Sequence, residues 1–353
     1  MPKLNSYKPY YPSPSHFRMI YVQNRPKWSS IMSQYFTEDM VYDTNYFDGT
    51  NHLLGNGTGL LSWYQREHIP MNEAFDNQTF NQMIFAADSK FATTTTYAVT
   101  PWTKGPFIGV DSPNITVRYR IFDFYRLKND KIEYNWMVLD AVHLLYQAGY
   151  DVLPNNPCPL KQGWVRPPKA MDGFPAPISA LVDPSDTALS KVIAREAMKN
   201  DLLSTSGKAS NYWRDDMIFY GAHGLGVCES LADYEQYFME KLSQAFTNRS
   251  IDLDVLICEG GYCGAHGYLN GIFAGPFLGE EPSNRPTRLR FGLHWHIDSK
   301  NRQIIEGYGL LDLPGFFAQS GIDLFKRAHL DGQGNNGIVA IEEVEEVVIY
   351  TTL

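Results

Sequence analysis

Cysteine is scarce: four residues in 353, none in a C-x-x-C pair, too few and too scattered for a disulfide framework or a thiolate metal site. Free thiols in a reducing compartment, and so a cytoplasmic protein, are the expectation. No apolar run approaches the roughly 18 residues that span a bilayer. The opening Met1-Pro2-Lys3-Leu4-Asn5-Ser6-Tyr7 lacks the apolar core of a secretion signal. The glycines are scattered and form no phosphate-binding fingerprint. Positive charge is in deficit, 30 Lys and Arg against 39 Asp and Glu, and a net −9 argues against a nucleic-acid partner. Neither a metal nor a cofactor is expected. What is present, 44% hydrophobic and 20% charged residues, describes a globular chain long enough for two domains.

The chain contains itself twice. The stretch from Asn135 to Asp151 reappears from Gly307 to Asp323, with Trp136/Tyr308, Asp140/Asp312, Gln147/Gln319, Gly149/Gly321 and Asp151/Asp323 each 172 apart. His52/His223 and Ala74-Phe75/Ala245-Phe246 are 171 apart, and Phe107-Ile108-Gly109 answers Phe277-Leu278-Gly279 at 170. Val117-Arg118-Tyr119-Arg120 aligns with Leu289-Arg290-Phe291-Gly292 at 172. A repeat this long with so narrow a drift means two copies of one fold. Between them, Pro154, Pro157, Pro159, Pro167, Pro168, Pro175, Pro177 and Pro184 exclude a helix or a central strand. The expected organisation is a first domain at 1–153, a Pro-rich linker at 154–183, a second domain at 184–330 and a C-terminal extension at 331–353.

Each copy reads as helices followed by strands. Residues 27–36 suggest a short helix, and 58–75 a longer one with Leu60, Leu61, Tyr64, His68 and Met71 at helical spacing. Residues 79–86, 91–99, 115–127 and 131–140 are rich in Thr, Tyr, Phe, Ile and Val and read as strands, with Lys128-Asn129-Asp130 as a hairpin turn. The second copy repeats this with helices at 186–203 and 230–246 and strands at 251–259, 262–273, 287–297 and 304–311. The pattern is α+β, with helices packed on one face of an antiparallel sheet.

The third strand of each copy assigns the faces. Val117, Tyr119, Ile121, Asp123 and Tyr125, with Leu289, Phe291, Leu293, Trp295 and Ile297, form the more apolar set and are expected to face the helices. Asp123 is the only acid on that face of its strand, where it needs partners or a raised pKa. It could instead pair with Arg118 or Arg120 at a sheet edge. His294 and His296 lie on the opposite face with Phe122 and Phe124 as counterparts. A sheet-to-sheet contact between the copies explains them better than a metal site, because no third ligand has matching spacing.

A short helix, a long helix, a curved sheet, and then aromatic-x-x-x-Asp running into Leu-Leu-x-Gln-x-Gly resemble the SnoaL-like polyketide cyclases. These belong to the cone-shaped superfamily of nuclear transport factor 2, ketosteroid isomerase and scytalone dehydratase. The resemblance covers roughly residues 25–153 and 184–328. It rests on Asn135-Trp136-Met137-Val138-Leu139-Asp140 with Gln147-Ala148-Gly149, the matching Tyr308–Gly321 stretch, and Phe-Ile/Leu-Gly at 107–109 and 277–279. His68-Ile69-Pro70 followed by Ala74-Phe75 resembles tandem members, whereas the second copy has Met239-Glu240-Lys241.

The resemblance implies two tandem cystatin-like cones forming a pseudo-dimer within one chain, and cofactor-independent acid–base chemistry inside a cone. Asp140 and Asp312 match the Asp that moves a proton between carbon and oxygen as a ring closes. His52 and His223 would donate hydrogen bonds or relay protons, and Asp123 would pair with Asp140. Trp136, Tyr308, Trp295, His266, His68 and Tyr119 are the candidate substrate contacts, with Trp295 standing where the first cone has Asp123. Each has a plainer alternative: Asp140 and Asp312 as N-caps, the histidines as backbone ligands, and the aromatics as core. The expected function is cyclisation or isomerisation of a small, flat, apolar carbonyl compound. The alternative is a non-catalytic binding or scaffold protein of the same fold. Association beyond the pseudo-dimer is not read from the sequence.

Overall fold

Strands of alternating apolar and β-branched side chains build two six-stranded sheets, one per copy. The computed structural model describes residues 25–45, 57–76, 78–160 and 182–331. His52, most of the Pro-rich linker and the C-terminal extension from residue 332 lie outside the described residues.

The first copy runs α1 (Arg25–Tyr35), β1 (Phe36–Thr44), β2 (Gly57–Thr58), a helix α2 in three parts (Leu60–Trp63, Tyr64–His68, Ile69–Ala74), β3 (Thr79–Ala87), β4 (Phe91–Trp102), β5 (Ile115–Lys128), β6 (Lys131–Leu139) and α3 (Ala141–Gln147). The second runs α4 (Pro184–Leu203), β7 (Trp213–Tyr220), β8 (Val227–Cys228), α5 (Leu231–Tyr234, Glu235–Met239, Glu240–Ala245), β9 (Phe246–Glu259), β10 (Tyr262–Phe273), β11 (Pro286–Asp298), β12 (Gln303–Leu311), α6 (Leu313–Ala318) and α7 (Leu324–Asp331). The sheet orders correspond, β2-β1-β6-β5-β4-β3 and β8-β7-β12-β11-β10-β9. The fold is α+β in two tandem cones. The sheets are mixed rather than wholly antiparallel, because β1 pairs parallel with β6 and β7 with β12. Those two first strands are missing from the sequence reading. Phe-Thr-Glu-Asp-Met and Trp-Arg-Asp-Asp-Met carry charge near their start, where exposed acids follow a buried aromatic, and continuous burial comes only in their second halves.

Turn chemistry fixes how the copies align. Asn129 and Asp130, both at positive φ, close β5 onto β6 in a two-residue turn. The β11–β12 turn is two residues longer. There the Asp298 carboxylate accepts from the backbone of Lys300 and Asn301. The offset is therefore 170 before the turn and 172 after it. Asp140 N donates to Arg120 O, and Asp312 N donates to Arg290 O. Arg120 thus corresponds to Arg290, Asp123 to Leu293 and Tyr125 to Trp295, which corrects the alignment at 172 expected for this strand. The Phe-Ile-Gly and Phe-Leu-Gly motifs also form matching tight turns, with Ile108, Gly109, Leu278 and Gly279 at positive φ.

The even-numbered faces of β5 and β11 press the two sheets together. Phe122, Phe124, Trp136 and Val138 form one buried cluster with Ile218, Tyr220, Val255, Ile257, Tyr308 and Leu310. His294 stacks on Phe124 at 4.9 Å and its Nε2 lies 2.7 Å from Thr93 Oγ1. Since Thr93 gives its proton to Asp123 O, His294 is the donor in that contact. His294 is thus interface, as expected, while His296 stacks on Tyr262 of its own cone at 4.5 Å; no group of metal-ligating side chains occurs among the described residues.

Two buried arginines cross between the cones in reciprocal fashion. Arg120 donates to Tyr220 O at 3.2 Å and Gly221 O at 2.7 Å, while Arg290 donates to Asp43 O at 2.8 Å. Tyr220 and Asp43 hold equivalent places, facing Tyr308 and Trp136 on the neighbouring strand. β5 therefore grips the end of β7, and β11 the end of β1.

Two of the four cysteines are not free. Cys258 and Cys263, directly opposed across β9 and β10, form a disulfide, whereas Cys158 and Cys228 are buried thiols. Hairpin pairing brings together two residues that show no motif in the sequence. The thiol argument for a reducing compartment loses its premise. No described helix is long and apolar enough to cross a membrane. Alkylation of the unfolded chain is expected to label two cysteines without reductant and four with it; four labelled in both cases would contradict the pairing.

Candidate active site

In each cone the inward face of the sheet meets one long helix, and comparing the two interiors singles out the first. The buried stripe of α2 is Leu60, Trp63, Glu67, His68, Met71 and Ala74. The matching stripe of α5 is Leu231, Tyr234, Phe238, Met239, Leu242 and Ala245. Both helices pass through a five-residue π-turn at the same place, Tyr64–His68 and Glu235–Met239. A π-turn widens the helix by one residue and turns two consecutive side chains inward, a distortion often found at functional sites. In the first cone those two are Glu67 and His68; in the second they are Phe238 and Met239. The turn also leaves Leu61 exposed, contrary to the spacing expected for this helix.

The sheet side repeats the contrast. Asp123, Asn135 and Tyr42 in the first cone stand where Leu293, Gly307 and Phe219 stand in the second. The second interior is filled: Phe219 packs on Tyr234 and Phe238 at 4.8 Å each, and a Cβ on Gly307 or Gly309 would collide with the Phe219 ring. Below them the rings of Phe246, Phe273, Phe277, Phe316 and Phe317 pack edge-on or tilted against one another. In the first interior the corresponding place is polar, and Asp123 is 9% exposed where Leu293 is 5%.

Asp123 is the electrostatic centre of this interior. Burial pushes its carboxyl up to about 7, although hydrogen bonds from the Asn135 and Tyr125 side chains pull the other way. Tyr125 shares a packed cluster with Trp63, Tyr42, Met40 and Leu60. Trp63 donates its indole N–H to the buried Glu67 carboxylate and lies edge-on to His68, with ring centres 4.2 Å apart. Burial holds His68 neutral, with its pKa lowered to about 3. A carboxyl pushed up toward neutrality, a neutral imidazole and a second carboxylate are thus linked through Tyr125 and Trp63 on the inner side of one cone.

The other candidates lie elsewhere. Asp140 caps α3, accepting from His143 N, but its carboxylate is held by Arg120 at 2.6 Å and by His223 N at 3.1 Å from the other cone. Burial would raise its pKa, yet Arg120, His143 and His223 outweigh that and leave it below the usual carboxylate range. Asp140 therefore faces the inter-cone contact and forms no pair with Asp123. Asp123 in turn pairs with neither Arg118 nor Arg120, which project from the opposite face. Asp312 caps α6 through Gly315 N at 2.9 Å, and burial leaves its pKa raised against the nearby Arg290. His223 stacks on His143 at the contact. His266 is locked in it, its Nδ1 donating to Asp254 and its Nε2 accepting from Arg290. Trp136 and Tyr308 belong to the inter-sheet cluster, because they pair with Phe124 and His294 on the outward faces. Tyr119 is core, stacked on Phe75 with its hydroxyl donating to Gln78. Trp295 lines the filled second cone at Tyr125's place, not Asp123's. Of the described candidates, the structure brings Asp123 and His68 into one cone. Glu67 and Asn135 were not anticipated, although Glu67 interrupts an otherwise apolar stripe that repeats at 171.

No family model matches this chain, and no curated protein matches it. Among solved structures it is similar to a protein assigned as a SnoaL-like polyketide cyclase from Jannaschia sp. CCS1, at 17% identity and TM-score 0.32, over 40% of this chain and 94% of that one. A SnoaL-like polyketide cyclase from Agrobacterium tumefaciens is similar at 11% and 0.30, over 37% and 96%. A ketosteroid isomerase-like protein from Catenulispora acidiphila, solved with trimethylamine, is similar at 11% and 0.31, over 37% and 94%. The likeness is one of fold.

Proposed function

We propose that the first cone is the working half of a cofactor-independent acid–base enzyme and that the second cone is its structural partner. The observation that carries this reading is the one-for-one replacement of Asp123, Asn135, Glu67 and His68 by Leu293, Gly307, Phe238 and Met239 at equivalent sites. A fold that can fill the same hollow with apolar side chains has no structural need for those polar groups, and burying them is costly.

With its pKa near neutrality, Asp123 is present in both protonation states at physiological pH, as a general base and acid requires. As carboxylate it takes a proton from carbon next to a carbonyl; as carboxylic acid it returns that proton to carbon or oxygen, so the site is restored after each turnover. Neutral His68, on the facing helix, is suited to donate a hydrogen bond to the enolate oxygen. The aromatic walls fit a small, flat, apolar carbonyl compound, whose isomerisation or ring closure needs no more than this.

Deuterium wash-in from heavy water into 2-tetralone and cyclic 1,3-diketones, followed by mass spectrometry, tests the reading. The wild type is expected to accelerate exchange, and Asp123→Asn to lose at least about a hundredfold of it. Asp140→Asn is expected to lower stability, and both Asp140→Asn and Asp312→Asn to leave the rate per folded molecule unchanged. No exchange above buffer, or exchange undiminished in Asp123→Asn, would overturn the proposal.

A further inference from the structure

Asn135 carries a feature that proton transfer by Asp123 alone does not require. It lies on β6 opposite Tyr125, on the inward face, 2% exposed. Its side chain bonds to the Asp123 carboxylate. The amide turns its N–H₂ toward the carboxylate form of Asp123, which only accepts. The other end, Oδ1, is buried with no hydrogen-bond partner among the described residues. A buried carbonyl oxygen without a donor is costly, and native structures seldom leave one so. At the equivalent place in the second cone Gly307 carries no such group, so the amide is not a demand of the fold.

Charge narrows what can approach that oxygen. The inward residues of β4 and β5 are Ala92, Thr94, Thr96 and Ala98, and Val117, Tyr119, Ile121, Asp123 and Tyr125. None is Lys or Arg, and the arginines of β5 (Arg118, Arg120 and Arg126) all have the opposite parity. The buried stripe of α2 likewise holds no cation, and it adds Glu67. These three elements therefore offer a ligand two carboxyl groups and no positive charge. An anion entering it would be desolvated against like charge.

Resting on the reading of the first cone as a ligand site, we infer that Asn135 is a specificity-determining residue. It selects a substrate whose inner end is uncharged and bears a hydroxyl, phenolic or enolic, that donates to Asn135 Oδ1. The hydroxyl then lies beside Asp123, placing the adjacent carbon within reach of the carboxyl group. A keto compound enters through its enol tautomer or through a neighbouring hydroxyl. An ether or a carboxylate of the same shape is rejected, the first because Oδ1 stays unsatisfied, the second by charge.

Isothermal titration at pH 8 with 2-naphthol, 2-methoxynaphthalene and 2-naphthoate tests this. The naphthol is expected to bind at least about tenfold more tightly than either relative, the discrimination one buried hydrogen bond provides. Asn135→Ala is expected to cut the naphthol's advantage over the ether to less than about threefold while leaving the ether's affinity within about twofold, which a merely structural role would not produce. Equal binding of naphthol and ether by the wild type, a preference that survives in Asn135→Ala, or no binding of any of the three would overturn the inference. Should Asn135→Ala fail to fold, the wild-type comparison alone decides. These are binding measurements, so they stand apart from the exchange assay. Naphthol selectivity together with exchange undiminished in Asp123→Asn would remove the catalytic reading and keep the subsite.

Discussion

Asp123→Leu is expected to abolish proton transfer and, above neutral pH, to make the protein more stable. The second cone already holds leucine, Leu293, at this place in a well-packed interior. The sign follows from linkage. A carboxyl raised to about 7 when folded, against about 3.9 when unfolded, leaves stability intact below the lower value and erodes it as pH rises through the upper one. Full ionisation then costs about 4 kcal/mol, from which the larger leucine subtracts about 1–3 kcal/mol of packing strain. The variant's advantage in urea midpoint should be absent at pH 4, grow up to pH 7 and level off beyond. A variant less stable than the wild type at pH 8 would mean that Asp123 holds the fold together. Opposed effects on activity and stability are the usual mark of a strained functional group.

Arg120→Ala is expected to be the most destabilising single change in the molecule. The guanidinium is fully buried and binds Asp140 together with two carbonyls of the other cone. Its loss leaves a buried carboxylate uncompensated and two acceptors unpaired, a cost of about 3–5 kcal/mol. Asp140 has a depressed pKa, so the clamp contributes fully above the ordinary carboxylate value and is lost as pH falls through the folded one. The deficit of the variant is therefore largest at neutral pH and shrinks in acid. Arg120→Met combined with Asp140→Asn, which removes both charges and keeps a capping side chain, should recover most of the loss. Chemical denaturation of the wild type, Arg120→Met, Asp140→Asn and the double variant closes the cycle. Additive effects would show that the two side chains act independently.

The duplication and the two faces of β5 and β11 were legible in the sequence because they rest on an offset held between 170 and 172 residues and on a strict alternation of two. Asp123 emerged from the second of these as the one acid on an inward face. Other features depended on facts a period does not carry. Two extra residues in the β11–β12 turn change the offset, so Trp295 was aligned with Asp123 when Leu293 is its true counterpart. The face of Trp136 follows from the register set by the Asn129-Asp130 turn, and without that register its place beside Asp140 looked like a pocket wall. A π-turn cannot be seen in hydrophobic spacing, so the helix reading chose Leu61 and passed over Glu67. Asp140 and Asp312 each end a strand and begin a helix, which is legible. Their partners come from a neighbouring strand of the same cone (Arg120, Arg290) and from the other half of the pseudo-dimer (His223, Asn45), and no local pattern announces them.

The most direct test is the ionisation of Asp123 itself, followed by carbon-13 NMR of the side-chain carboxyl and assigned by the signal missing from Asp123→Asn. Placing a proton-transferring carboxyl in the first cone predicts a titration midpoint near 7. A midpoint near the ordinary value of about 4 would mean a solvated carboxylate with no poised proton, contradicting the assignment of this cone as the working half.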